Sequence, residues 1–397
     1  PFVTILRTSL GYKGAKYFGL LRGLVGIFMF GIQTYFLSKA FSYLIRILFF
    51  TIDNSILDHD VFLIFLLGLN IIDWSAFIIS IFLQMYLFSI GVNYNKKLIN
   101  FSAITVYIGM IFFLFVVLLN DVKSTSQAFI DILNFQNFLI PGSIIPLITV
   151  AGTIFAYFSI IIVSFGDFSR YVKDNKELNN GNLSLILNLI IFSLFSVFIV
   201  VGSDVFLNQK FEEIDRIFTN PTDIVGKFDN LKITTIVLMF IIIASASTNL
   251  VANFIPTQYS LINFAPDILS LKKASYVIAA SGFFVGILWP TLLSQIGVLS
   301  LIDTFSSFFG PISGVMAVNY FILNNSKLEI KGIHAINNES PYHFSGGWHI
   351  KAIYSLFIGF IFSSSTIWNP NLMFLQSYAW IIGAIASSLT FYLLAKK

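Results

Sequence analysis

The amino-acid sequence predicts an all-α integral membrane protein, and three observations support this fold class. Of its 397 residues, 57% are hydrophobic and 11% are charged, whereas soluble domains carry about 25% charged residues. A water-soluble fold with this composition would expose more apolar surface than its interior can bury, whereas a bilayer solvates that surface. Apolar runs of roughly 20 residues, the length of a helix that spans a bilayer, recur along the whole chain.

Ten runs of this kind follow one another, and each is predicted to form a transmembrane helix. They lie near residues 17–45, 74–91, 101–120, 144–166, 183–204, 232–255, 275–296, 303–324, 350–367 and 374–395. The apolar stretch 60–73 is short for a span, so it is predicted to lie at the membrane interface, to re-enter the membrane or to extend the second helix. No soluble segment interrupts the series, which predicts a single transmembrane domain over residues 1–397.

The charges of the loops predict the orientation of these helices. Lys and Arg are concentrated before the first run and after the second, fourth, sixth, eighth and tenth runs, while the intervening loops are acidic or mixed. Because cytoplasmic loops are enriched in Lys and Arg, this alternation predicts a multi-pass protein of the inner (plasma) membrane with both ends of the chain in the cytoplasm. The long outer loop 205–231 contains Phe211–Phe218, which is predicted to form a short amphipathic surface helix.

Several function classes find no support in the sequence. The net charge of +4 falls mainly in short loops between apolar runs, which indicates membrane topology and not nucleic-acid binding. The absence of Cys excludes disulfides, thiolate metal ligands and Cys nucleophiles. The chain contains no G-x-S-x-G motif, P-loop or His–Glu pair with metal-ligand spacing, so we expect neither an enzyme nor an ATP-driven pump, and no organic cofactor.

The first run carries an amide side chain at membrane depth. Gln33 lies within the segment 30–34, and Met29 lies one turn earlier on the same helix face. A Gln amide offers both donors and an acceptor, which suits a planar ring with amide-like edges. The same group also fits a simpler role as a hydrogen-bonding contact between packed helices, and the residue alone favours that role.

The fourth run combines small residues with aromatic ones. Gly152 and Thr153 at mid-membrane indicate a helix that can break there and offer free backbone groups to a solute, and the aromatic Phe158 follows. Near the end of the run, Asp167 and Arg170 are spaced to pair as a gate or to anchor the helix end, and anchoring is the favoured interpretation.

The sixth run holds the densest polar segment of the chain, with five hydroxyl or amide side chains in residues 244–253. Asn249 and Asn253 are four residues apart and therefore share one helix face. This stripe predicts a watery pocket at mid-bilayer opposite Gln33. The alternative is a packing seam of small polar residues between two helices.

The same segment contains oxygens that suit a hard cation. The hydroxyls of Ser247 and Thr248 and the backbone carbonyl of Ala244 lie within about one helical turn of one another. No carboxylate is expected at membrane depth to carry a proton, so these oxygens favour Na⁺ over H⁺ as a coupling ion.

The eighth run begins with Asp303, Ser306 and Ser307 and continues with Gly310-Pro311. Pro in a helix interior removes a backbone hydrogen bond, so this pair predicts a break or kink. A flexible half-helix would suit a gate, and a kink needed for packing is equally compatible with the sequence.

Seven short motifs occur in a fixed order along the chain. They are the F-G-I-Q-T core within Arg22–Tyr35, Gly68–Trp74, Gly166–Tyr171, Asn220–Asp223, Ser247–Asn253 with Pro256, Gly310–Tyr320 and Gly346–Trp348. On these segments the chain resembles the nucleobase–cation symporters, the group of cytosine, purine, uracil, thiamine and allantoin permeases. No single motif decides the match, but together they run from one end of the chain to the other.

The resemblance implies a LeuT-like inverted-repeat transporter fold with twelve helices, whose core consists of two inverted five-helix repeats. It also implies that this chain begins just before the family's third helix, so about ten helices are expected here and the first two of twelve are expected to be missing. The chain starts at Pro1 and not at Met, which agrees with that expectation. In the family, the first two helices contribute to both binding sites.

By motif position, the resemblance places the family's two binding sites on this chain. The substrate site maps to Met29, Gln33, Phe158, Asn249 and Asn253, and the cation site, for Na⁺, maps to Ala244, Ser247 and Thr248. The family often encloses a planar substrate between two Trp rings, whereas Met29 and Phe158 occupy those positions here. A thioether and a phenyl ring still cover a planar ring, but with less area.

The implied function is cation-coupled symport of a nucleobase-like heterocycle of the cytosine, uracil, purine, allantoin, hydantoin or thiamine type, with Na⁺ as the expected coupling ion and H⁺ as the alternative. Because Met29 and Phe158 replace the two Trp rings, a transporter of the same fold for an amino acid or an osmolyte remains an alternative. A non-transporting membrane protein or an inactive fragment is the third alternative. The expected partners are the solute and the lipid bilayer; the oligomeric state is not indicated, and a monomer is compatible with the sequence.

Overall fold

The computed structural model describes residues 2–89, 92–134, 136, 142, 144–210, 217–335 and 340–396. Within this part of the chain, ten helices are long and apolar enough to cross a membrane, which confirms the predicted number. In chain order they are α1 (Phe2–Ile52), α2 (Ile71–Ser89), α3 (Lys97–Asn120), α4 (Ile144–Val163), α5 (Asn175–Leu207), α6 (Leu231–Phe264), α7 (Leu271–Leu288), α8 (Ser300–Leu323), α9 (Ile350–Trp368) and α10 (Pro370–Ala395). Residues 211–216 of the predicted amphipathic surface helix lie outside the described residues.

Helix α1 begins well before its apolar run and is bent at Gly11, whose φ of +81° is readily adopted only by glycine. A Cβ at this position would lie 2.5 Å from the Gly347 carbonyl oxygen. The loop between α8 and α9 docks here, because the Lys13 N–H donates to the same carbonyl oxygen at 2.8 Å. The motif Gly346–Trp348 therefore fastens this loop to the start of α1.

The apolar stretch 60–73 does not extend the second helix. It contains the 3-10 helix Asp60–Leu63, and α2 begins only at Ile71. The start of α2 is capped reciprocally, because the Asp73 N–H donates to Asn70 Oδ1 (3.0 Å) and the Asn70 N–H donates to Asp73 Oδ2 (3.2 Å). This cap stops the helix from continuing backwards into the preceding apolar residues, most of which are exposed.

Two of the long helices contain a π-helical turn. In α6 the turn covers Leu250–Phe254, and in α8 it covers Val318–Leu323. A π turn accommodates an extra residue, and such turns are frequent at functional sites. The predicted break at Gly310-Pro311 is absent, because the α-helix continues through both residues as far as Ala317.

The small residues that were expected to break α4 and α8 instead allow neighbouring helices to approach closely. A Cβ at Gly310 would collide with the Trp380 carbonyl oxygen of α10, and a Cβ at Gly152 would collide with the Ser377 carbonyl oxygen. Helix α4 is accordingly unbroken from Ile144 to Val163, so the break that its small residues would allow is not present. Glycine serves backbone packing at both positions, as is common between membrane helices.

The helices form two packed groups that meet along α1. Helix α1 contacts α2, α6 and α7, while α8 contacts α4, α9 and α10. An apolar cluster fills each group, around Phe30 and Phe254 in the first and around Phe309 and Phe391 in the second. Helix α3 packs on α5 and on the first half of α6. In an 18-residue apolar stretch of α5 only 11% of the residues are buried, whereas the corresponding share in α8 is 67%. Helix α5 therefore presents mainly outward-facing apolar side chains.

Candidate functional site

The polar stripe of α6 faces α1 and forms a buried hydrogen-bonded seam with it. Asn249 is fully buried, and its Nδ2 donates to the Phe30 carbonyl oxygen (3.1 Å) and to Thr34 Oγ1 (3.0 Å). Gln84 of α2 donates from Nε2 to the same Thr34 oxygen at 2.9 Å. Three helices are therefore joined at one point, and each bond avoids the desolvation penalty of an unpaired buried polar group.

A backbone carbonyl fixes the direction of the bonds in this seam. The Phe30 oxygen can only accept, so the Thr34 hydroxyl donates to it (2.7 Å) and in turn accepts from the amides. Asn249 then directs its NH₂ towards α1 and its Oδ1 towards Asn253. Asn253 Nδ2 donates to Asn249 Oδ1 (2.9 Å) and to Gln33 Oε1 (2.7 Å). The orientation of all three amide groups follows from this order of donors and acceptors.

The seam ends in one unpaired donor and one unpaired acceptor, on two amide groups that are hydrogen-bonded to each other. Because Gln33 Oε1 and Asn253 Nδ2 are engaged with each other, the Gln33 NH₂ and Asn253 Oδ1 have no hydrogen-bond partner in the part of the chain that is described. Neither is among the buried unpaired polar atoms of these residues, so both reach accessible space. Together they present the polarity of an amide edge, which is complementary to the C=O and N–H of a planar lactam.

The two apolar residues that were expected to enclose a substrate lie outside this network. Met29 is half-buried and packs against the apolar cluster that includes Val25. Phe158 of α4 is also half-buried, and its ring lies edge-to-face with Tyr157 at a centroid distance of 5.4 Å. Hydrogen bonds thus connect three of the five predicted substrate residues, which are Gln33, Asn249 and Asn253.

The predicted cation ligands lie on α6, within about one turn before Asn249. Ser247 is 7% exposed, and its Oγ donates to the Ala244 carbonyl oxygen at 3.0 Å, which brings these two oxygens together. The Thr248 side chain is exposed. The hydroxyl oxygens of Ser247 and Thr248 keep lone pairs of the kind that a hard cation prefers, whereas the Ala244 carbonyl oxygen already accepts from Ser247 in addition to its helical N–H bond.

The predicted gate residues have separate partners. Asp167 Oδ1 accepts from the Phe2 N–H at 3.1 Å, whereas Arg170 donates from Nη2 to Tyr171 Oη (2.7 Å) and places its guanidinium 4.2 Å from the Tyr259 ring centroid. No salt bridge joins Asp167 to Arg170 within the described ranges. Burial raises the pKa of the Asp167 carboxyl, and the Phe2 N–H opposes this by stabilising the charged form.

Comparison with known proteins identifies the family. The sequence profile of permeases for cytosine/purines, uracil, thiamine and allantoin matches residues 1–383. The chain belongs to this permease family. The purine-uracil permease NCS1 of Arabidopsis thaliana is 25% identical over 362 residues, which cover 91% of this chain and 57% of the plant protein. The allantoin permease of Bacillus subtilis is 23% identical over 400 residues, which cover 100% of this chain and 77% of the bacterial protein.

Solved structures show the same fold. Mhp1, a nucleobase-cation-symport-1 family transporter, matches this permease with a TM-score of 0.72 and 17% identity in its closed conformation with bromovinylhydantoin bound; the match covers 100% of this chain and 78% of Mhp1. Inward-facing Mhp1 matches with a TM-score of 0.70 and 18% identity. The permease therefore has the predicted LeuT-like fold, and the relatives that it matches are membrane permeases and transporters and not enzymes.

Sequence analysis missed a buried arginine in this permease. Arg22 of α1 is fully buried, and it donates from Nε to Ser164 Oγ (2.8 Å) and from Nη2 to the Ala252 carbonyl oxygen (2.9 Å). Ser164 directly follows α4, and Ala252 lies in the π turn beside Asn253, so Arg22 connects the end of α4 to the amide seam. A single Arg within an apolar run is the sequence signal that points to such a site.

A cavity of ≈1180 Å³ lies behind the seam, on the other side of α6. Its lining includes Val251 and Ile255 of α6, Asp167, and aromatic side chains from the ends of α2 and α7. None of the three seam amides lines it, because these amides lie between α1 and α6. The amide edge and this cavity are therefore separate features of the permease.

Proposed function

We propose that this permease carries a small planar heterocycle with an amide-like edge across the membrane together with a cation. The free Gln33 NH₂ together with the free Asn253 Oδ1 is the observation that supports this most directly. Pyrimidines, hydantoins and allantoin carry a ring C=O beside an N–H, so each can form two hydrogen bonds with this edge. The permease relatives named for uracil, purines and allantoin agree with solutes of this chemistry.

A neutral amide edge favours a neutral ring over an amino acid or a charged osmolyte. The seam consists of amide groups, one hydroxyl and one backbone carbonyl, and none of them carries a formal charge. A carboxylate or ammonium group that entered this space without a counter-ion would lose its hydration without adequate compensation. Met29 and Phe158 are proposed to cover the two faces of the ring with apolar surface.

The coupling ion is proposed to be Na⁺, bound by the Ala244 carbonyl, Ser247 Oγ and Thr248 Oγ1. These oxygens lie within about one helical turn of Asn249, just before the π turn of α6. An ion there and a solute at the amide edge would both stabilise the same conformation of the α6 segment from Ala244 to Asn253. Two ligands that favour one arrangement increase each other's affinity, and this linkage is the physical basis of symport.

Uptake of radiolabelled uracil, allantoin and hydantoin by cells that express the gene tests the substrate class, with an amino acid and a betaine as competitors. The decisive variant is Gln33→Glu, which keeps the oxygen that accepts from Asn253 but removes the free donor. We expect heterocycle uptake to fall by about tenfold or more, because an unpaired group at a desolvated edge costs about 1–3 kcal/mol. The matched control is Gln295→Glu, which changes an exposed amide outside the seam.

Two results would contradict this assignment. Equal heterocycle uptake by Gln33→Glu and the wild type would show that the amide edge does not take part in solute recognition. Competition by the amino acid or the betaine alone would favour a same-fold transporter for those solutes.

In the same cells, replacing external Na⁺ by choline is expected to abolish accumulation, and Ser247→Ala is expected to raise the Na⁺ concentration for half-maximal uptake. Thr235→Ala on the same helix is the control, and uptake indifferent to Na⁺ would reject Na⁺ coupling.

A further inference from the structure

One carboxyl group is buried inside a membrane-spanning helix. Asp303 of α8 is 2% exposed, and its Oδ2 accepts one hydrogen bond, from Gln376 Nε2 at 2.9 Å. Its other oxygen, Oδ1, is buried without a hydrogen-bond partner among the described residues. The expectation that no carboxylate lies at membrane depth is therefore wrong. Near the start of an apolar run Asp303 looks like an end anchor, but it is covered by packing that includes the 3-10 segment Pro370–Tyr378.

Within the described ranges, no cation pairs with this carboxyl. Lys351, at the start of α9, and Lys396, just after α10, lie beside the end of α8 and not its start. On α1, Lys39 pairs with Asp223, Arg46 pairs with Asp73, and the buried Arg22 donates to Ser164 and to the Ala252 carbonyl oxygen. The other titratable side chains on α4, α9 and α10 are Tyr157, Tyr354, Tyr378 and Tyr392, and none forms a hydrogen bond with Asp303.

An ionised carboxylate in these surroundings would place a full negative charge against a single neutral amide donor. Burial of a charge without a counter-ion is far less favourable than burial of the neutral acid. Ionisable residues inside membrane proteins are rare, and they commonly take part in ion or proton movement. We propose that Asp303 is a proton-binding site of this permease, with the proton on Oδ1 while Oδ2 accepts from Gln376.

The position of Gln376 indicates what the proton controls. Its hydrogen bond joins α8 to the first turns of α10, so the neutral form is favoured over the ionised one only while these two segments stay packed and exclude water. Separation of the segments would admit water, and the hydrated carboxyl would release its proton to that water. Proton binding therefore favours the packed arrangement by linkage, and a rise in pH favours the open one.

Infrared spectroscopy of the purified full-length protein tests the site without any transport assay. We expect the spectrum of the wild type minus that of Asp303→Asn to contain the C=O stretching band of a protonated carboxyl group at mildly acidic pH, and this band to disappear as the pH is raised. Gln376→Leu removes the donor to Oδ2, and it is expected to shift this band to higher frequency while Asp303 stays in place. The control is Asp223→Asn, whose carboxylate is paired with Lys39 and should contribute no such band. Absence of the band from the difference spectrum would overturn the proposal.

The consequence for transport rests on the proposed function and has its own readout. Heterocycle uptake by the wild type is expected to vary with external pH by up to about tenfold per pH unit where Asp303 titrates. Asp303→Asn, which is permanently neutral, is expected to lack this dependence of uptake on external pH. Identical pH profiles for the two proteins would overturn the linkage to transport. If no heterocycle is taken up at all, the proposed function fails, while the infrared band still decides whether Asp303 binds a proton.

Discussion

The seam between α1 and α6 and the seam between α8 and α10 join helices by opposite means. In the first, side chains make the contact, because Asn249 reaches across to the backbone and a hydroxyl of α1. In the second, the backbones approach directly, because Gly310 and Gly314 leave room for carbonyl oxygens of α10. Both arrangements place polar groups away from water, and the first ends in polar atoms that reach accessible space.

This difference gives the two seams different roles, with solute recognition at the first and rigid helix packing at the second. The amide seam ends where the Gln33 NH₂ and Asn253 Oδ1 reach accessible space. The small-residue seam uses its polar groups locally, for example where Ser387 Oγ donates to the Pro311 carbonyl oxygen at 3.0 Å. A solute can therefore be recognised at the first seam, while the second provides a close-packed wall that depends on small residues.

The largest effect is expected from filling the small-residue seam. A side chain at Gly314 would collide with the Ala384 carbonyl oxygen and with Ser387 Oγ. Because a backbone oxygen cannot move aside without unpacking the helix, Gly314→Leu is expected to lose about 3 kcal/mol or more, at or beyond the upper end of ordinary overpacking. The measurements are the yield of monodisperse protein and the Tm in detergent. Gly181→Leu on α5 is the control, since nothing lies within 4 Å of that position. A similar loss in both variants would remove the distinction between the seam and an open helix face.

A smaller but more specific effect is expected from reversing one donor in the amide seam. Asn249→Asp would direct a carboxylate oxygen at the Phe30 carbonyl oxygen and at Thr34 Oγ1, which already accepts from Gln84. This leaves acceptors facing acceptors, at a cost of roughly 1–3 kcal/mol and more if the carboxylate stays ionised. We expect a lower Tm and loss of heterocycle uptake together. The control is Asn371→Asp at an exposed position. Wild-type stability in Asn249→Asp would show that the direction of these bonds is not fixed by the α1 carbonyl.

Sequence patterns predicted the helices well but not their irregularities. Hydropathy alone gave ten spans, because the length and apolarity of a run are local properties. The Gly310-Pro311 pair suggested a break, yet α8 continues through it and its irregular turn begins at Val318. The Trp380 carbonyl packs against Gly310, and this tertiary contact is one that no local pattern contains.

For the candidate site, too, the sequence predicted what depends on local spacing and missed what depends on tertiary packing. The four-residue spacing of Asn249 and Asn253 predicted a shared face opposite Gln33, and hydrogen bonds do connect the three amides. Sequence reasoning left open whether that face was a packing seam or a pocket, and the geometry shows that it packs at Asn249 and opens at its end. The roles of Arg22 and Asp303 were missed, because a lone charge in an apolar run does not reveal whether packing covers it.

The smallest effect is expected from removing one hydrogen bond in the small-residue seam, and this change separates the two seams most cleanly. Ser387→Ala removes the donor to the Pro311 carbonyl oxygen without adding volume, so the close backbone approach survives. A typical net loss for one such bond is about 0.5–1.5 kcal/mol. We expect a modest fall in Tm and an unchanged KM for heterocycle uptake, since the amide edge lies in the other helix group. A shift in KM without a fall in Tm would mean that the α8–α10 wall takes part in recognition, and the division between the two seams would then fail.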